Sequence, residues 1–483
     1  MFIGLDLGTS GLRAVLVDEM QRTQAVAEAA YDVSHPQPGW SEQAPDDWIR
    51  AARAALGDLA GAHPDGLAGV RAIGLSGQMH GAVLLDGGHK VLRPAILWND
   101  TRAAEEAAAL DADPRFRART GNVVFPGFTA PKLAWLARHE PAVHARIAHV
   151  LLPKDHLRLW LTGEIATEMS DAAGTSWLDV GGRAWAEELA VASATDPAWL
   201  PDLFEGTEVT GGLRADLAAE FGLRPGTPVV GGGADNAAAA AGMGCLAEGQ
   251  GFVSLGTSGV VLVARDGYHP APETAVHTFC HAVPDRWYQM GVMLSATDSL
   301  NWLARIAGTT PAALAGALPD EPRGPGPVRF LPYLSGERTP HNDAAIRGVF
   351  VGLDTTHDSA DLARGVMEGV AFALTDCLDA LRETGANPPA LIAVGGGSRS
   401  RFWVRTLANV LGVPILLPAD GELGAAFGAA RLAMVGEGGA EPAAVLTQPA
   451  VAETVAPDPH LAAAYEEALA AWRQLYPTIR SLR

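Results

Sequence analysis

Lysine is almost missing from this chain: of 483 residues only Lys90, Lys132 and Lys154 are lysines, and no Gly-x-x-x-x-Gly-Lys-Ser/Thr loop is present. A phosphate cannot then be clamped by an ammonium group in the P-loop manner, which leaves backbone amides, arginine and a metal ion. Cysteine is nearly as scarce. Cys245, Cys280 and Cys377 are too scattered for a disulfide framework, so buried free thiols and a reducing, cytoplasmic setting are expected. The chain has no uninterrupted apolar stretch of about 18 residues, which excludes an obvious membrane-spanning helix. Met1 to Asp6 has no basic segment ahead of its apolar run and reads as a first strand rather than a secretory leader. Positive charge is in short supply overall. With 35 Lys+Arg against 55 Asp+Glu the formal net charge is −20, which opposes nucleic acid or an anionic membrane as partner.

What the chain does have is length and repetition. A single core rarely grows to 483 residues, so two domains, 1–244 and 245–483, with a cleft between them are expected. Leu7-Gly8-Thr9-Ser10-Gly11 recurs 248 residues later as Leu255-Gly256-Thr257-Ser258-Gly259. Each copy separates two strand-like runs and reads as a hairpin turn whose hydroxyls and amides can converge on an anion. One such turn is a plain way to close a hairpin; two at half-chain spacing suggest a duplicated architecture gripping a phosphate chain from both sides. Apolar runs at 70–75, 82–85, 148–152, 228–231, 328–331 and 391–394 alternate with helical stretches at 46–60, 101–110, 360–382 and 400–411, an α/β pattern. The layout resembles two tandem actin-like ATPase (ribonuclease H-like) domains.

Several segments could carry chemistry. The run Val229-Val230-Gly231-Gly232-Gly233-Ala234-Asp235-Asn236 empties a strand into a glycine-rich bend that presents Asp235. That carboxylate could take a proton from an attacking hydroxyl, with Asn236 orienting the substrate, or it could simply cap the following helix. Asp6 ends the first strand beside the first turn, where a carboxylate suits a hard cation held through water; the alternative is a turn-stabilising Asp. Gly77-Gln78-Met79-His80-Gly81 stands at another strand end and could read hydroxyls, although a lone histidine is more often structural. In Trp98-Asn99-Asp100-Thr101-Arg102 a capping role for Asp100 or Thr101 is an equal alternative. Gly395-Gly396-Gly397-Ser398 follows a strand and would let a flat adenosine lie against the backbone, or merely turn the chain. Gly424 to Ala430 reads as a closely packed helix. His277 and His281 with Cys280 invite a zinc reading, but strand-like flanks and the lack of a partner cluster favour a structural one.

Taken in order, these segments resemble the FGGY carbohydrate kinase family over nearly the whole chain. Gly127-Phe128-Thr129-Ala130-Pro131-Lys132-Leu133-Ala134-Trp135-Leu136 is similar to its first signature, and Gly348-Val349-Phe350-Val351-Gly352-Leu353 through Glu368 to its second, with Gly365 where Ala or Ser is usual. Ile73 to Gly81 lacks the Arg-Glu pair that glycerol-specific members carry after the glutamine and is similar to the ketopentose branch, as are 93–100, 152–155, 171–175 and 333–341. The resemblance implies ATP and Mg²⁺ as cofactors, a sugar as substrate, and D-xylulose phosphorylated at its 5-hydroxyl as the first expectation. Ribulose, gluconate or an alditol, or a non-catalytic sugar sensor, are the alternatives. It implies Asp235 as general base, Met79 and His80 on the sugar with Asn236, and Asp6 supporting the metal. Thr9, Ser10, Arg13, Gly256, Thr257, Gly396, Gly397 and Asn409 fall to the nucleotide side, and a homodimer is also implied. Ala234 stands where many relatives have Gly, and Asn409 where they often have Asp.

Overall fold

The computed structural model describes residues 1–419 and 424–482. The first apolar runs form β1 (Phe2–Leu7), β2 (Gly11–Val17), β3 (Thr23–Ala30), β4 (Ala72–Gly77), β5 (Val209–Gly212), β6 (Pro228–Val230) and β7 (Gly233–Ala234). They make one sheet in the order β5-β6-β4-β1-β2-β3, with β7 also on β4. The second sheet contains β8 (Gly251–Leu255), β9 (Gly259–Arg265), β10 (His277–Cys280), β11 (Trp287–Met293), β12 (Leu391–Val394), β13 (Ile415–Pro418) and β14 (Val451–Val455). Its order is β10-β11-β9-β8-β12-β13-β14.

The two sheets repeat one topology. In each, an antiparallel hairpin, β1/β2 or β8/β9, is flanked on the side of its first strand by a parallel neighbour, β4 or β12. Each parallel neighbour pairs in parallel with a further strand, β6 or β13, and an antiparallel edge strand closes that side. The repeated pentapeptide supplies the turn of each hairpin. Parallel strands buried on both faces demand continuous apolar runs, which is why β4 is buried along its whole length.

The helices that matter below are, in chain order, α1 (Pro45–Ala62), α2 (Pro153–Thr162), α3 (Met169–Ala172), α4 (Asp235–Gly242), α5 (Thr297–Ile306), α6 (Pro311–Gly316), α7 (Ser359–Glu383), α8 (Arg401–Leu411) and α9 (Ala425–Gly438). The helical stretch expected at 360–382 lies within the long α7, which packs on the second sheet. α9, although late in the chain, lies on β1 and β4 of the first sheet and crosses α4. Small residues make this possible. A Cβ on Gly74 would sit 1.8 Å from the Ala429 carbonyl oxygen, and one on Gly428 would sit 1.7 Å from that of Ala238. The run at 424–430 is therefore the packed helix its composition suggests, and it joins the second half of the chain to the first sheet.

Candidate active site

Asp235 is the first residue of α4, and the position that caps the helix belongs to Ala234, which has no side chain to do so. Asp235 is therefore not itself the N-cap residue. Its Oδ1 instead accepts hydrogen bonds from the Asn236 amide at 2.7 Å and from Asn236 Nδ2 at 2.9 Å. Burial, followed by the negative charge of Asp6, pushes its carboxyl up to about 7. A carboxylate poised there can exchange a proton near neutral pH.

Asp6, in register with Arg13 on β2 and Ser76 on β4, reaches the same space from β1. Burial raises it to about 6, and its Oδ1 is buried without a hydrogen-bond partner. A carboxyl near enough to raise its neighbour's pKa and carrying an orphaned oxygen, with that neighbour beside it, makes a donor set suited to a hard divalent cation. Among the described residues no group of three His, Cys, Asp or Glu side chains gathers into a metal cluster, so such a cation would complete its shell with water and substrate oxygens.

The first hairpin turn is tied to the strand end that carries Met79 and His80. Thr9 Oγ1 donates to Gln78 Oε1 at 3.0 Å and accepts from Trp98 Nε1 at 3.0 Å, while Gln43 Nε2 donates to the Thr9 carbonyl at 2.7 Å. The Thr9 hydroxyl is thus engaged on the protein side, and the exposed Ser10 is the hydroxyl of this turn open to a ligand. Trp98, one of the exposed large apolar residues at 38%, is held at this turn, whereas capping by its neighbours Asp100 or Thr101 is the other reading of this cluster. Asp100 instead pairs with the buried Arg102 at 2.7 Å. Arg13 lies on Glu28 at 2.6 Å, so its charge is partly answered before any phosphate arrives.

His80 has a left-handed backbone, with φ of 68°. Lys132, from the first signature, donates to the carbonyls of His80 and Gly127, each at 2.7 Å, and holds that conformation. The His80 Nδ1–H donates to Gly174 O at 2.7 Å, which leaves Nε2 as an acceptor for a hydroxyl. Burial, then the Lys132 charge, lowers its pKa to about 3, so the ring stays neutral. Met79 is buried beside it. Phe128 stacks on the imidazole at 4.4 Å, and His277 and Phe279 of β10 complete the aromatic wall from the other lobe. His277 and His281 have separate partners, Arg338 at 3.5 Å and the Cys245 carbonyl at 3.1 Å.

On the other side of Asp235 a groove opens. A cavity of about 900 Å³ runs from Asn236 and Ala239 past Ser254 to Gly395, Gly396 and Arg399. Gly396, Arg399 and Arg401 are shared with a second cavity of about 560 Å³, walled by Leu300 of α5, Pro311 and Ala315 of α6, Gly397 and Phe402. The second turn is tied to the helix that walls the second cavity: carbonyl oxygens of Gly256 and Thr257 accept from the amides of Thr297 and Ala296 at the start of α5. At Gly395, with φ of +89°, a Cβ would lie 2.6 Å from the Leu255 carbonyl, so glycine is required for the triplet to meet the hairpin.

One expected position is corrected. Asn409 lies two turns along α8 from Arg401, and its Oδ1 accepts the Asp458 amide at 2.7 Å. It lines a separate cavity with Thr375, Arg382 and Tyr465, so its part is to anchor the 458 loop rather than to touch adenosine. At about 1.5 Å of rise per residue, the helix carries this position well away from Gly396 and Gly397.

Twin lobes of one topology, each offering a Gly-Thr-Ser-Gly turn towards a shared cleft, define the actin-like ATPase fold. Within that class, family models for carbohydrate kinases match both parts of the chain: the N-terminal domain of the FGGY family over residues 1–242 and its C-terminal domain over 251–437. The chain is 45% identical to the xylulose kinase of Escherichia coli K12, with 100% of both chains covered. It is 50% identical to that of Klebsiella pneumoniae over 90% of each. A crystallised xyloylose kinase from Brucella ovis superposes with a TM-score of 0.98 at 55% identity, covering 100% of this chain and 99% of that one. The chain belongs to the FGGY family of carbohydrate kinases.

Proposed function

We propose that this protein transfers the γ-phosphoryl group of ATP to the 5-hydroxyl of D-xylulose. The observation that carries the reading is Asp235, held near neutrality beside Asp6 where the sugar-side wall of His80 meets the groove ending at Gly396. The adenine fits the 560 Å³ cavity between α5, α6 and α8, and the phosphates extend along the groove to the two hairpin turns. Asp235 accepts the hydroxyl proton as the sugar oxygen bonds to the γ-phosphorus. The bond from that phosphorus to the β–γ bridging oxygen breaks, and ADP leaves with its electron pair. Mg²⁺ bound near Asp6 would neutralise charge on the phosphate oxygens. His80 Nε2 and Asn236 orient the sugar, and Met79 packs against its carbon chain. Closure of lobes 1–244 and 245–483 around both substrates excludes water that would otherwise hydrolyse ATP.

The relatives named above support the ketopentose, because both are xylulose kinases. Three free, buried cysteines support a cytoplasmic setting, and no helix among the described residues is long and apolar enough to cross a membrane. The test is ADP release with ATP, Mg²⁺ and a panel of D-xylulose, D-ribulose, gluconate, xylitol and glycerol. D-Xylulose should give the highest kcat/KM; preference for gluconate or an alditol overturns the substrate assignment.

A further inference from the structure

Five ionisable side chains lie entirely out of water beneath the site: Lys154, Asp155 and Arg158 on α2, Glu168 just before α3, and Asp171 on it. Lys154 Nζ stands 2.8 Å from Asp155, 3.3 Å from Glu168 and 3.1 Å from Asp171. Burying such a cluster seldom stabilises a fold better than apolar packing does, so its retention asks for a role in specificity. The direction of its outward hydrogen bonds supplies one. Arg158 donates to the carbonyls of Val230 and Gly231, at 2.9 and 2.5 Å. It also holds Thr210, whose hydroxyl donates to the Val229 carbonyl at 3.1 Å. Glu168 Oε1 accepts from Ser170 Oγ at 2.9 Å, and Ser170 Oγ accepts in turn from the Ala234 amide at 3.0 Å. Every one of these contacts ends on residues 229–234, the bend that delivers Asp235.

The same short stretch holds the other substrate group. Four residues beyond Ser170, the Gly174 carbonyl fixes the tautomer of His80, and a Cβ on Gly174 would lie 2.5 Å from that ring and 2.9 Å from Met79 Cε. Glu168 fastens the start of the stretch by accepting the Ser170 amide at 2.7 Å and the Asp171 amide at 3.0 Å. Residues 168–175 therefore touch the base's bend at one end and the sugar-facing imidazole at the other, with Lys154 pinning them from below.

We infer that Lys154, Glu168 and Ser170 are positioning residues, a bracket that sets the distance between Asp235 and the hydroxyl presented by His80. The inference rests on the phosphoryl transfer proposed above. The bracket does not touch the nucleotide groove, so loosening it should misplace the base relative to the sugar and leave ATP binding alone.

The experiment compares Ser170→Ala, Ser170→Thr and Asp235→Ala per folded enzyme, measuring sugar phosphorylation, sugar-free ATP hydrolysis and KM for ATP. In Ser170→Ala, kcat for sugar should fall about tenfold, in keeping with the rate cost of a small misplacement. KM for ATP should stay within about twofold and the ratio of hydrolysis to phosphorylation should rise. Ser170→Thr, which keeps the hydroxyl, should recover most of the loss. Wild-type kcat in Ser170→Ala, or a parallel fall in phosphorylation and hydrolysis that Ser170→Thr does not relieve, overturns the bracket. Normal turnover in Ser170→Ala with loss in Asp235→Ala sinks the bracket and leaves the base standing; normal turnover in both sinks both.

Discussion

Asp235 shows how one carboxylate is suited to its task at a cost in stability. Folded, it ionises near 7 rather than at 3.8 because burial and then Asp6 oppose its charge. Below 3.8 it is neutral whether the chain is folded or not. Between 3.8 and 7 the unfolded chain ionises and the folded one does not, so this group's contribution to stability falls as pH rises through the window. Asp235→Asn should therefore raise the melting temperature at pH 8, by roughly 2–4 °C for each kcal/mol of buried charge relieved. The gain should shrink towards zero near pH 4; a lowered melting temperature, or a gain that ignores pH, contradicts this electrostatic reading. The same shift predicts an acid limb near pH 7 in kcat/KM, falling about tenfold per unit below it. A profile flat down to pH 5 would remove Asp235 as the base. For Asp6, Asp6→Asn should raise the Mg²⁺ concentration needed for half-maximal activity by about tenfold or more, checked by titrating Mg²⁺ at fixed ATP; an unchanged requirement removes it from the metal assembly.

Elements carry predictions that no single charge does. α9 lies so close to β4 that the Cβ of Gly74→Ala must displace backbone at Ala429, and overpacking of this kind costs about 1–3 kcal/mol. Gly57→Ala makes the opposite case: its Cβ meets nothing within 4 Å on α1, so it should leave stability unchanged or raise it by about 0.5–1 kcal/mol. Denaturant unfolding of the two variants reads the contrast directly, and equal midpoints would show that the close helix–sheet approach is not what joins the second half of the chain to the first sheet. At this scale the sequence was legible where local pattern decides. The Gly-Thr-Ser-Gly turns, the strands beside them and the helix after Ser400 follow from turn chemistry and from apolar runs of the right length. What lies against what was not legible. Nothing near Gly424 says that α9 crosses to the first sheet, and Lys154, Asp155 and Glu168 look in sequence like ordinary solvated charges. Asn409 misled for a related reason, since likeness of a motif marks a position on a helix but not the face that meets a ligand.

For the whole molecule, the duplicated topology makes a cleft with two unlike walls. The wall at His80 is aromatic and neutral, with acceptors for hydroxyls; the groove towards Gly396 is walled by glycines, arginines and small apolar residues. A net charge of −20 puts most of the surface at odds with a polyanion, so nucleotide capture depends on this local lining. Both walls converge on Asp235, and the most direct test acts there: the rate of D-xylulose phosphorylation and the nucleotide affinity, measured side by side for wild type and Asp235→Ala. The account predicts that transfer falls by at least about a hundredfold while the affinity for ATP changes by no more than a few-fold. Turnover close to wild type in Asp235→Ala would contradict it.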